Sequence, residues 1–135
     1  MGTINNKRLN IALWIAQVLL GVAFIMAGAM KSFSPVEEII AKGITWAVDL
    51  PTLVRFIGIS ELLGGIGLIL PAALRIKPIL TAWAAAALSA VMLLAVGFHL
   101  MQGDTIEHTL TPAVLGLIAL FIAWGRFAKV PIWTK

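Results

Sequence analysis

The sequence predicts an all-α protein, a four-helix transmembrane bundle with both termini in the cytoplasm and a short interfacial helix between the first two spans. Hydrophobic residues make up 61% of the 135-residue chain and charged residues only 12%, and the mean hydropathy is +1.03. Four apolar runs are each long enough to cross a bilayer, since a helical span takes ~20 residues. This composition excludes an ordinary soluble domain.

The length of the chain predicts a single integral membrane domain over residues 1–135. The net charge is +4, but the basic residues flank apolar runs and do not form one patch. We therefore expect the lipid bilayer as a partner, and no nucleic acid. The sequence contains no cysteine, which excludes disulfides and thiolate metal sites within the chain.

The first predicted span covers residues 11–30 and follows the basic residues Lys7 and Arg8. A signal-peptide core has only ~7–15 apolar residues, and because this run is longer we interpret it as a retained span. Gly21 and Gly28 stand seven residues apart within it. Small residues at such spacing predict the close approach of a neighbouring helix.

A helix-start pattern follows the first span. Ser34 is the predicted N-cap, Pro35 the first helical residue, and Glu37 the partner that completes a capping box. The segment is too short to cross a membrane, so we expect it to lie along the outer interface.

Prolines mark the boundaries of the remaining spans, which are predicted over residues 51–70, 79–100 and 110–127. Pro71 is expected to end the second span, and Thr111 with Pro112 is expected to start the fourth. Basic residues concentrate on one side of the spans, and the positive-inside rule then places both termini in the cytoplasm. The residues on that side are Lys7, Arg8, Arg75, Lys77, Arg126, Lys129 and Lys135.

Glu61 is the strongest functional candidate, because it lies in the middle of an apolar span. At ~1.5 Å per residue from Pro51 its carboxyl group is ~15 Å deep, about half of a ~30 Å hydrocarbon core. Ionisable groups at that depth usually face protein or water. We predict a cavity that opens to the outside with Glu61 at its floor, level with Ser89. The other expected lining residues are Lys31, Arg55 and His99.

A purely structural role for these residues stays open. Arg55 lies close enough to the boundary to snorkel, and Glu61 could be protonated and bonded to Ser89 or to a backbone carbonyl. Arg55 and Glu61 are six residues apart and do not share a helix face. The side chain of Lys31 is expected to be too short to reach Glu61 across ~15 Å of depth, unless the first helix sits deeper than its sequence suggests.

Two further sets of residues have simple explanations. Glycines around Glu61 favour close helix packing over space for a flat ligand or a lipid tail. Polar residues of the outer loop could form a weak metal site with His99, but their spacing matches no template, so we expect solvated residues and no metal. The glycines are Gly58, Gly64, Gly65 and Gly67, and the loop residues are Asp104, Glu107 and His108.

The run from Arg55 to Pro71 resembles the second-helix signature of the DoxX-like family of small four-helix membrane proteins. Residues 27–31 at the end of the first span and residues 96–99 in the third are also similar to that family. The resemblance implies that Lys31, Glu61 and His99 are polar residues of the type that the family carries at these positions. Relatives include membrane subunits of oxidoreductases, among them thiosulfate:quinone oxidoreductase, and the NACHO proteins, which act as assembly chaperones for nicotinic acetylcholine receptors.

These observations favour a non-enzymatic membrane subunit or assembly factor that works with a membrane-protein partner or as a homo-oligomer. The sequence contains no phosphate-binding glycine loop, paired-His zinc motif or nucleophile elbow, so we predict no catalytic residue. It identifies no cofactor and leaves a quinone or a lipid open as a ligand. One alternative is a quinone-binding subunit of an oxidoreductase complex, with a quinone or a lipid beside Glu61. A further alternative is a small proton or solute transporter. The expected location is the bacterial cytoplasmic (inner) membrane.

Overall fold

The computed structural model of the protein describes residues 3–103 and 106–133, and within these residues it contains helices and no β-strand. Four of the helices are long and apolar, which confirms the predicted all-α bundle. In chain order the elements are α1 (Thr3–Phe33), α2 (Val36–Ala41), a 3-10 turn (Thr45–Val48), α3 (Pro51–Leu74), α4 (Ile79–Met101), α5 (Ile106–Trp124) and a π-helical turn (Gly125–Lys129).

The four long helices are suited to a membrane in length and in composition. Their apolar stretches are 21 to 27 residues long and have a mean hydropathy between 1.7 and 2.2. At ~1.5 Å per residue, each can cross a ~30 Å hydrocarbon core. Many large apolar side chains on their outer faces are exposed, Leu19 and Met26 among them, as contact with lipid requires.

Prolines do not end or start the helices where the sequence predicted. Pro71 lies inside α3, which continues to Leu74 and ends at Arg75 with a left-handed φ of 56°. Pro112 lies inside α5, which begins at Ile106. Membrane helices tolerate internal proline because neighbouring groups satisfy the freed carbonyl. The predictions that Pro71 ends the second long helix and that Thr111 and Pro112 begin the fourth were therefore wrong.

The connection between α1 and α3 packs as a small unit of its own. Ile39, Ala47 and Val54 are buried against one another and join α2 and the 3-10 turn to the start of α3. Pro35 occupies the cap position of α2, and no side chain bonds to that end of the helix. The predicted capping box of Ser34 was wrong, because the Ser34 amide continues the bonding of α1 by donating to Met30. The interfacial placement of α2 and the side of the termini stay predictions.

Glycines bring α1 and α3 into direct backbone contact, as the small-residue spacing predicted. A methyl group added to Gly28 would lie 2.4 Å from the Leu62 nitrogen and 2.6 Å from the Gly58 carbonyl oxygen. One to two turns away, a methyl group on Gly65 would lie 2.7 Å from the Gly21 carbonyl oxygen. These contacts fix the register of the two helices. They also bring the last turns of α1 beside the first half of α3, which begins at Pro51.

Candidate functional site

An ion pair joins α1 to α3 inside the bundle. The Lys31 ammonium donates to a Glu61 carboxylate oxygen at 2.8 Å, and the two side chains are 21% and 3% exposed. A methyl group on Gly58 would lie 2.7 Å from the Lys31 Cβ, which places Lys31 about one helical turn from Glu61. The expectation that Lys31 is too short to reach Glu61 was therefore wrong. Helix α1 sits deeper against α3 than a depth count from each helix end suggests.

Arg55 holds the end of α1 and does not line the cavity. Its Nη1 donates to the backbone carbonyl oxygens of Lys31, at 3.1 Å, and of Ser34. Carbonyls at a helix C-terminus carry partial negative charge and lack intrahelical donors, so a guanidinium stabilises them there. Through the Lys31 backbone, Arg55 acts as a positioning residue for the ion pair.

Ser89 is also separate from the ion pair. Its hydroxyl donates to the Ala86 carbonyl oxygen at 2.7 Å, within its own helix α4. The hydroxyl therefore gives no bond to Glu61, whose carboxylate receives the Lys31 ammonium. Of the five residues named from the sequence, the structure brings Lys31, Glu61 and His99 to one cavity and leaves Arg55 and Ser89 outside its wall.

This cavity has a volume of about 1060 Å³ and lies between the four long helices, at the end of the bundle where α2 and the 3-10 turn connect α1 to α3. We call this end the α2 end. Most of the wall is apolar, and the polar groups are the ion pair, His99, and side chains at the α2 end such as Lys42 and Asp49. Apolar residues of the wall include Phe24, Leu53, Ile57, Met92 and Leu115.

Aromatic rings cross the α2 end of the cavity. Trp46, from the 3-10 turn, meets Phe98 of α4 edge to face with 5.0 Å between ring centroids. The neighbouring His99 ring is edge to face with Phe98 at 6.1 Å. Such pairs add about 0.5–1.5 kcal/mol beyond the burial of their area. They tie the connection between α1 and α3 to the end of α4.

The described residues contain no group of three or more His, Asp or Glu side chains placed to hold a metal ion. Asp104 lies outside the described residues, and so does the side chain of His108. The sequence-based expectations for this loop, solvated residues and no metal, therefore stay predictions.

A second buried polar cluster lies at the opposite end of the bundle and was missed from the sequence, where Arg126 was counted as a flanking charge. Arg126 is 3% exposed and donates to Gln17 at 2.6 Å, to Asn10 at 2.8 Å and to the Val130 carbonyl oxygen at 2.9 Å. Its guanidinium also lies 5.6 Å from the Trp14 ring centroid. We call this set the Arg126 cluster. One signal could have found it, a glutamine inside an apolar span.

Gln17 links the Arg126 cluster to α3, because its amide nitrogen donates to the Leu68 carbonyl oxygen at 2.8 Å. Gln17→Leu removes the acceptor of a buried guanidinium N–H. We expect a loss of about 2 kcal/mol in the free energy of unfolding, the usual cost of an unsatisfied buried donor. Thermal or denaturant unfolding in detergent measures it. Gln102→Leu is the matched control at an exposed position, and equal losses in both variants would contradict the assignment.

The fold and the cavity together define an integral membrane four-helix bundle with an internal cavity whose wall contains a buried ion pair. The chain belongs to the DoxX-like family, whose model matches residues 15–122. This confirms the resemblance drawn from the sequence, and the matched range includes Lys31, Glu61 and His99. Comparison with curated proteins and with solved structures gives no match.

Proposed function

We propose that this DoxX-like protein is a non-enzymatic membrane subunit or assembly factor whose cavity binds a polar group of a ligand or of a partner protein. The observation that carries the proposal is the Lys31–Glu61 ion pair in the wall of a cavity of about 1060 Å³. Charged side chains inside a membrane span are costly and mark functional positions. Glycine and leucine contacts at the interface of α1 and α3 would hold the two helices together without that cost.

The geometry of the pair favours binding over catalysis. Lys31 and Glu61 each engage the other at 2.8 Å, so neither is left as a separate base or nucleophile. Together they offer an ammonium donor and a carboxylate acceptor to an incoming polar group. Such charge-assisted hydrogen bonds are about twice as strong as neutral ones. A partner protein or a second copy of the chain is part of this proposal.

Glu61→Gln tests the proposal. The amide keeps the shape of the side chain but removes its charge, and we expect about tenfold less retained ligand, which corresponds to the loss of about 1.4 kcal/mol. Wild type and variant are purified from native membranes in a mild detergent, and extracted small molecules are quantified per mole of protein by mass spectrometry. Glu38→Gln is the matched control, since Glu38 is exposed and lies outside the cavity wall. Equal retention by Glu61→Gln and wild type would reject the proposal.

A quinone-binding subunit is the second candidate. It is favoured by the apolar wall, the Trp46–Phe98 ring pair and the donor–acceptor pair of Lys31 and Glu61 in the cavity wall. A quinone head group needs proton donors and acceptors near its carbonyl oxygens, and the electron carrier would come from a partner. The same extracts decide between the candidates, because a quinone is identified by its mass and absorbance.

The proposed location is the bacterial cytoplasmic membrane with both termini in the cytoplasm. Its support is the distribution of charge, since six of the ten Lys and Arg residues lie, within the described part of the chain, at the end of the bundle opposite the α2 end. They are Lys7, Arg8, Arg75, Lys77, Arg126 and Lys129. With this orientation the α2 end of the cavity faces the outside.

A further inference from the structure

The seam between α3 and α4 is closed at one end of the bundle and open at the other. Towards the Arg126 cluster, a methyl group on Gly67 would lie 2.8 Å from the Ala84 Cβ, and the Thr81 hydroxyl donates to the Gly67 carbonyl oxygen at 2.8 Å. Gly64 meets Leu88 just as closely. Further towards the α2 end, the same faces of the two helices separate and form part of the cavity wall.

Four residues line this separated part of the seam, which we call the α3–α4 opening. They are Phe56 and Ser60 of α3 and Val91 and Leu94 of α4. Phe56 is 67% and Leu94 is 73% exposed, whereas Glu61 and Met92, in the same cavity wall, are 2% and 4% exposed. Phe56 and Leu94 therefore stand at an edge where the cavity meets the surroundings of the bundle.

The depth of this edge along the two helices favours lipid over water as its surroundings. Phe56 is five residues after Pro51, the first residue of α3, and Leu94 is seven residues before Met101, the last residue of α4. At ~1.5 Å per residue these positions lie ~7–10 Å below the helix ends. Both side chains are apolar, as a lipid-facing position requires. The α2 end itself is crossed by the Trp46–Phe98 ring pair.

We infer that the cavity is entered sideways from the bilayer, through the α3–α4 opening, by a single-chain amphiphile with an uncharged hydrogen-bonding head. The head lies against Lys31 and Glu61, and the chain lies along Phe56 and Leu94 and leaves through the opening into the lipid. This inference rests on the proposed ligand-binding function and specifies its ligand class and route.

The charge of the site selects the uncharged head. Lys31 and Glu61 neutralise each other, and a charged head would leave one unpaired charge in a water-poor cavity, which is costly. A hydroxyl or carbonyl oxygen can instead accept from the Lys31 ammonium, and a hydroxyl can also donate to Glu61. The volume of about 1060 Å³ lies just above the ~300–1,000 Å³ typical of small-molecule sites, which suits one small head and one chain.

Leu94→Trp tests the route, because the larger ring narrows the opening without entering the buried core. The probe is a fatty alcohol of sixteen carbons (~C16, roughly the length of one leaflet of a ~30 Å hydrocarbon core) with a diazirine close to the hydroxyl group, incorporated in proteoliposomes. After illumination, peptide mass spectrometry quantifies labelling of the inner cavity wall, for example at Ala27 and Met92. We expect about tenfold lower labelling in Leu94→Trp, equal to a loss of about 1.4 kcal/mol.

Leu93→Trp is the matched control. Leu93 is 72% exposed, almost the same as Leu94, but it is not part of the cavity wall, so we expect wild-type labelling. Phe56→Ala widens the opening from the α3 side and should raise cavity labelling above wild type. Gel filtration and circular dichroism confirm that each variant is folded.

The outcomes separate the inference from the function on which it rests. If the wild type is labelled in the cavity and Leu94→Trp is labelled equally, the sideways route is overturned while ligand binding stands. If the wild type is not labelled in the cavity, the ligand class is overturned. Failure of the proposed function appears elsewhere, as unchanged retention of native ligand in Glu61→Gln.

Discussion

Lys31→Met should lower the free energy of unfolding by about 3–5 kcal/mol, because it leaves the Glu61 carboxylate buried without its partner. Glu61 is 2% exposed, and its carboxylate accepts from the Lys31 ammonium at 2.8 Å. Methionine keeps the length and apolar stem of the lysine, so packing against α3 changes little. Reversible unfolding in bicelles or detergent measures the loss.

The matching double variant Lys31→Met/Glu61→Leu separates the cost of an unpaired charge from the value of the pair. Replacing both partners of a buried ion pair by apolar residues is often neutral or stabilising, so we expect stability close to wild type. We also expect the double variant to lose retained ligand, since the cavity then lacks the ammonium donor and the carboxylate acceptor of the pair. Stability as low as in Lys31→Met would show that the pair itself holds the bundle together.

The fold class followed from the sequence because composition and the length of apolar runs dictate it. A chain with so few charges cannot cover a soluble domain, and four runs of sufficient length can satisfy their backbone only as membrane helices. The errors in the helix bounds have one cause. Pro71 and Pro112 were interpreted as helix boundaries, as proline usually is in soluble proteins. In the structure Pro71 lies inside α3 and Pro112 lies inside α5.

The pairing in the site could not be predicted from single helices. Counting depth from the end of each span placed Lys31 far above Glu61, because nothing in one helix reveals its register against another. That register comes from Gly28 and Gly58, whose backbones interlock. The Arg126 cluster was missed for a similar reason. Its acceptors Gln17 and Asn10 are 109 and 116 residues away in sequence, and only the bundle brings them to the π-helical turn.

The glycine contact between α1 and α3 should be the most sensitive packing position in the protein. In Gly28→Ala the new methyl group would lie 2.4 Å from the Leu62 nitrogen and 2.6 Å from the Gly58 carbonyl oxygen. These are backbone atoms, which cannot rotate away as a side chain can, so the two helices must separate along their contact. We expect a loss of about 3 kcal/mol in the free energy of unfolding, at the upper end for an overpacked core.

Gly97→Ala is the control for the glycine substitution itself. Gly97 is also within a long helix, but a methyl group there meets no other atom within 4 Å. We expect this variant to be neutral or stabilised by up to about 1 kcal/mol, the helix propensity of alanine over glycine. Because Gly28 is close to Lys31 along α1, separation of the helices should also draw the ammonium away from Glu61. Gly28→Ala should therefore retain less ligand while Gly97→Ala retains the wild-type amount, and equal retention would show that the site is independent of the register of α1 and α3.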